Sequence, residues 1–162
     1  SAEEKRKLVA DWTAKLTPEV LREADLPKGR QLYAAICGAC HVMYGEGGKI
    51  GPDLTGSNRH DLGYLLENIL DPGAVVSADY RMTLLTLDDG RVLSGVVAAE
   101  DERTLTLRQA VGETVAEKST LAKREISPVS MMPEGLLLAF DETQVRDLVA
   151  YLMHPAQVGL PE

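Results

Sequence analysis

The 162-residue sequence predicts a mainly helical (mainly α) fold that carries an inserted small antiparallel β-barrel or sheet. Three observations point there. Apolar residues recur at three- and four-residue spacing in both flanks of the chain. The period drops to two beyond Arg81, and turn signals divide that stretch into short runs.

In chain order, residues 3–15 put Leu8 and Trp12 at helical spacing with Leu16. Thr17-Pro18-Glu19 reads as an N-cap followed by proline at the first helical position, opening a short helix to about Ala24. Pro27 starts a further helix through Gly29, Leu32, Tyr33 and Ile36 into Cys37. Residues 44–57 are a glycine-rich loop without period. Asn58 is placed to cap a helix with apolar Leu62, Leu65, Leu66, Ile69 and Leu70, and Asp71-Pro72-Gly73 ends it. From Arg81, Met82, Leu84 and Thr86 alternate with Thr83, Leu85 and Leu87. Asp89-Gly90 is a hairpin signal before 91–98, and 104–108, 113–117 and 122–126 read as further short strands. Strands within a helical chain read as an insertion, 81–127. Helical spacing resumes at Val145, Leu148, Val149 and Leu152, behind a reciprocal cap of Asp141 and Gln144, and His154-Pro155 stops it.

Composition excludes several function classes. The length suits one domain, or one with a sizeable insertion. A net charge of −8 lacks the basic stripe that nucleic acid requires. No stretch is long and apolar enough to span a membrane, and no signal peptide is visible. Aromatic residues are few: Trp12, five tyrosines and Phe140.

Both cysteines lie in Cys37-Gly38-Ala39-Cys40-His41, the attachment pattern of c-type haem. Two thiols three residues apart on a helical turn reach one porphyrin edge and add to its two vinyl groups. His41 then sets an imidazole nitrogen beneath the iron. A structural zinc site would need four Cys or His ligands, so His60 and His154 would have to converge on the motif. A thioredoxin-like pair would need a βαβ setting, whereas the flanks here are helix and glycine-rich loop.

Four pieces, in this order, carry a family resemblance. Gly29 and Tyr33 precede Cys37 as G-x-x-x-Y-x-x-x-C; Gly51-Pro52-Asp53-Leu54-Thr55-Gly56 follows the motif; Ser130-Met131-Met132-Pro133-Glu134-Gly135-Leu136 and Asp147-Leu148-Val149-Ala150-Tyr151-Leu152 come later. With them the chain resembles class I cytochromes c over residues 27–155. More closely, it is similar to the planctomycete and verrucomicrobial type of haem-binding domain. The resemblance implies a cytochrome c-like helical fold in which the helices around Gly29 and Tyr151 cross. It implies that the Pro52 carbonyl accepts a hydrogen bond from His41, and that Met132 is the second axial ligand. Met131 is adjacent; Met43, Met82, Met153 and His60 are the rival donors. Arg59 either pairs with a haem propionate or is an exposed helix-end arginine, and Asn58 has the same two readings. Residues 81–127 look like the first strands of an Sm-like barrel, with no RNA role implied.

The expected function is one-electron transfer by one covalent haem c and its iron, with His41 and Met132 as axial ligands. That makes an electron carrier, or the electron-accepting domain of a larger dehydrogenase, rather than an enzyme. The alternatives are a haem enzyme or gas sensor with an open distal site, and a partner-binding module using the strands. The expected organisation is an N-terminal helical extension or linker (1–25), a cytochrome c domain (26–155) with the β subdomain 81–127, and a tail (156–162). Expected partners are redox proteins, with basic ones favoured if the acidic charge steers association. A monomer or weak homodimer is expected, with no nucleic acid and no membrane span. Thioether attachment implies a periplasmic or other extracytoplasmic setting, with a leader or upstream domains absent from this chain.

Overall fold

The computed structural model describes residues 1–74 and 76–162. Among the described residues, five α-helices carry the N-terminal part and the C-terminal end. Helix α1 (Ala2–Lys15) begins with a capping box between Ser1 and Glu4. Helix α2 (Pro18–Arg22) is capped by the Thr17 side chain, and α3 (Leu26–Ile36) by Asp25. Helix α4 (Leu62–Leu70) is followed much later by α5 (Glu142–Met153), which opens on a capping box between Asp141 and Gln144. The cap of α4 is Asp61, not Asn58 as the sequence suggested. Residues 55–60 are turns, so the helix starts one turn later.

Helices α3 and α5 cross in close contact at Gly29. A Cβ on Gly29 would lie 2.1 Å from the Asp147 carbonyl oxygen and 2.7 Å from the Tyr151 Cβ. Only a residue without a side chain lets the backbones meet there. The buried Asp147 carboxylate accepts the Asp25 backbone N–H at 3.0 Å, satisfying a donor at the start of α3. The Tyr33 and Tyr151 rings pack at 5.7 Å between centroids, and Leu66, Val145, Leu148 and Val149 complete the buried centre.

The strand content overturns the mainly α expectation. Helix makes up 38% and strand 22%, so the fold is mixed α and β. A small hairpin pairs β1 (Val42–Met43) with β2 (Glu46–Gly47). Five further strands form one antiparallel sheet: β3 (Met82–Leu87), β4 (Val92–Glu100), β5 (Thr104–Arg108), β6 (Glu113–Glu117) and β7 (Leu121–Ile126), in the order β6-β5-β4-β3-β7. The last strand returns to pair with the first. Alternation puts Leu85, Leu105, Leu107 and Ala116 into a second, separate apolar core. Helical spacing in the flanks was read correctly, but the strands occupy too much of the chain to count as an accessory to a helical protein.

The sheet is open, with β6 and β7 at its edges. Strand β4 carries a bulge between Val97 and Ala99. Its far end brings Glu100 to Arg124 of β7 at 2.9 Å and to Lys118 at 2.7 Å. Those hydrogen bonds pull the Glu100 carboxyl down to about 2. Among the described residues, no helix is long and apolar enough to cross a membrane.

Candidate functional site

Helix α3 ends at Ile36, and the backbone turns through Cys37 to His41, whose N–H bonds back to the Cys37 carbonyl at 3.0 Å. Both cysteines are free thiols and partly exposed. Burial, with Cys40 adding to it, pushes the Cys37 thiol up to about 12, so it is held protonated.

The segment after the motif straps this loop from outside. Gly48 N–H bonds to the Gly38 carbonyl at 2.8 Å, Gly51 N–H to that of Cys40 at 2.7 Å, and Leu54 N–H to that of Val42 at 2.8 Å. The turn that starts the strap is the short hairpin, where Tyr44 (φ 52°) and Gly45 (φ 80°) both adopt left-handed backbone, as a two-residue I′ connection needs. From inside, the Tyr33 hydroxyl donates to the His41 carbonyl at 3.0 Å. Burial raises the Tyr33 phenol well above its ordinary range, which keeps it a donor.

His41 Nδ1 lies 2.8 Å from the Pro52 carbonyl oxygen. A carbonyl only accepts, so Nδ1 carries the proton and Nε2 keeps its lone pair. This is the tautomer that binds a metal through Nε2, with ring orientation and basicity set by the outer hydrogen bond. Gly51 lies against the same ring: a Cβ there would be 2.7 Å from His41 Cε1 and 2.8 Å from Nδ1. Two free thiols and a pre-oriented imidazole are the donor set that covalent haem requires. Among the described residues, no three His, Cys, Asp or Glu side chains gather as a metal site, so His60 and His154 do not join the motif as zinc would demand.

Arg59 is not the exposed helix-end residue of one sequence reading; it is 7% exposed. Its Nε donates to the Thr55 carbonyl at 3.0 Å, Nη1 to the carbonyls of Leu152 at 2.9 Å and of His154, and Nη2 to the Tyr44 hydroxyl at 2.8 Å. These bonds use four of the five N–H groups of a guanidinium, leaving one on Nη2 for any further partner. The Tyr44 hydroxyl in turn donates to the His154 carbonyl at 3.1 Å. Arg59 thus clamps the loop after the motif onto the C-terminal end of α5, where the helix dipole favours a cation. Composition and spacing offered no signal for this clamp, because most of its partners are backbone oxygens. Replacing Arg59 by methionine should cost about 2 kcal/mol of stability, since buried carbonyls lose their donors. Lysine should restore little, because a point charge cannot reach three directions. Urea unfolding of the three proteins checks this.

Met132 lies elsewhere on the chain path, in the segment between β7 and α5. It is half-buried and packs against the same helical core that Cys37 touches. Its N–H bonds to the Ser130 hydroxyl at 3.1 Å. Asn58 precedes the clamp, and His60 is exposed. Met43 is fully buried within the helical core, as a space-filling side chain.

One further link was not legible from sequence. Arg108 of β5 donates to the Lys49 carbonyl at 3.1 Å, tying the sheet to the strap behind His41. A family model described as cytochrome c matches residues 26–155. No curated protein matches the chain.

Proposed function

Because this chain belongs to the cytochrome c family, a family of haem-based electron carriers, we propose that it transfers single electrons through one haem c. Thioethers from Cys37 and Cys40 hold that haem, and His41 and Met132 are its axial ligands. The hydrogen bond from His41 Nδ1 to the Pro52 oxygen carries this reading: it commits the imidazole to ligation through Nε2 beside two free thiols. When bound, haem iron supplies a one-electron Fe(III)/Fe(II) couple.

The protein residues do the rest. The strap of 48–54 and the Tyr33 hydroxyl keep the motif backbone still, so little reorganises on electron exchange. The half-burial of Met132 against the core shared with Cys37 supports it as the second ligand. Its position directly before Pro133, within the Ser130–Leu136 pattern, supports the planctomycete and verrucomicrobial subtype. A filled distal position leaves no room for oxygen or peroxide chemistry, which favours a carrier over a haem enzyme or sensor.

In this reading, residues 26–155 form the redox domain, with 81–127 inserted within it. Residues 1–25 form an N-terminal helical extension whose Lys5 and Lys15 pair with carboxylates of that domain. Redox partners meet an acidic protein of net charge −8, in an extracytoplasmic compartment where haem c is attached.

The oxidised spectrum beside that of Met132→Ala tests the proposal. The Met-to-iron charge-transfer band should be present in the parent and absent from the variant. The reduction potential should fall by on the order of 100–200 mV in the variant. The Fe(II) variant should bind CO where the parent does not. A band that survives the substitution would assign the ligand to another sulfur.

A further inference from the structure

We propose that Lys5 of α1 is a positioning residue for the distal ligand: by bridging α4 to the methionine segment, it holds that segment closed over the iron. This rests on Met132 as the axial ligand. Lys5 Nζ donates to Asp71 Oδ1 at 3.0 Å and to Glu134 Oε1 at 2.6 Å. Asp71 is the C-terminal cap of α4, and Glu134 stands two residues beyond Met132.

The segment 128–135 contains no helix or strand. Its remaining hydrogen bonds are local: Val129 N–H to the Ser127 hydroxyl, Met132 N–H to the Ser130 hydroxyl, and Leu138 N–H to the Gly135 carbonyl. Among the described residues, the bond from Lys5 to Glu134 is its one hydrogen bond to a distant part of the chain. Lys5, Asp71, Pro72, Ser130, Met132 and Glu134 also line one groove, so the ion triad and the thioether segment share a wall.

Helix α1 lies outside the family match and buries no residue fully. It is an addition laid across the redox domain, held at one end by this triad. The Lys5 side chain is 26% exposed, against 50% for Lys15, which pairs with Glu142 farther along α1. The Asp71 carboxylate is 29% exposed, so that arm of the triad is the better shielded one, while Glu134 is 62% exposed. Linkage makes the coupling reciprocal: displacing the methionine loosens α1, and moving α1 frees the methionine. Trp12, the single tryptophan, sits on α1 and reports its position.

The test is binding of imidazole to the ferric holoprotein, which competes with the methionine for iron. Lys5→Met should raise imidazole affinity about fivefold, the weight of a partly exposed ion pair. Glu134→Gln should do nearly the same, and the double variant should add little. Lys5→Arg and the control Lys15→Met should behave as the parent. Trp12 emission should change as imidazole saturates the parent. The inference is overturned if Lys5→Met binds imidazole as the parent does, or if Trp12 emission is unmoved at saturation, while the parent keeps its Met-to-iron band. A parent without that band, or a Met132→Ala variant that retains it, instead overturns the ligand assignment beneath.

Discussion

Gly29→Ala should lower stability by about 3 kcal/mol, the upper end for overpacking, and the melting temperature of a chain this size by about 10 °C. The added Cβ would sit 2.1 Å from the Asp147 carbonyl oxygen. That atom belongs to the backbone of α5 and cannot rotate away, so the helices must part. Parting them stretches the bond from Asp25 N–H to the Asp147 carboxylate and leaves a buried charge short of a donor. It also separates Tyr33 from Tyr151 and, through the Tyr33 hydroxyl, reaches the His41 carbonyl. Gly159→Ala is the control, because a Cβ there meets nothing within 4 Å. It should change stability by less than about 0.5 kcal/mol. Equal urea midpoints for the two variants would mean that α3 and α5 do not touch as described.

With His41 as the proposed iron ligand, Gly51→Ala should act on the iron rather than on the fold. Its Cβ would press on Cε1 and Nδ1 of His41 at 2.7 and 2.8 Å. A free imidazole could swing aside cheaply; one held by a metal cannot, so the strain falls on its hydrogen bond to Pro52. That bond raises ligand basicity and so favours Fe(III). Its loss should raise the reduction potential by about 40 mV, taking the bond as about 1 kcal/mol and 59 mV per tenfold for one electron. Voltammetry reads the shift, and NMR exchange of the Nδ1 proton reads the exposed donor. A potential below the parent's would invert the role given to the Pro52 carbonyl.

What the sequence conveyed, and what it hid, divides by the range of the forces involved. Helix caps and periods are local, so Thr17, Asp141 with Gln144, and the face of α5 could be read directly. The strand runs were equally plain from alternation and the Asp89-Gly90 turn. Their weight in the fold was underestimated: β4 runs on to Glu100, beyond the 98 at which alternation fades, because a bulge shifts its register. The hairpin of β1 and β2 leaves no mark in the sequence, because two-residue strands carry no period and Tyr44 is an unexpected residue at positive φ. Arg59 was hardest, since its partners at Leu152 and His154 lie more than ninety residues away and offer only main-chain oxygens. The cytochrome c family was legible because thioether chemistry fixes residue type and spacing together at residues 37–41. Lys5 was not, because one lysine on an exposed helix looks like any other.

The sheet leaves where it enters: Ser127 N–H bonds to the Met82 carbonyl at 2.8 Å, and Thr83 pairs with Ile126. To the helices, the strand stretch is therefore equivalent to one tight turn. Closing a loop costs only about 0.6 kcal/mol for each doubling of its length, and this stretch closes itself. Its size can then change over evolutionary time without altering the distance the helices must bridge. The link from Arg108 to Lys49 is what such drift must preserve for the sheet to keep its hold on the segment behind His41.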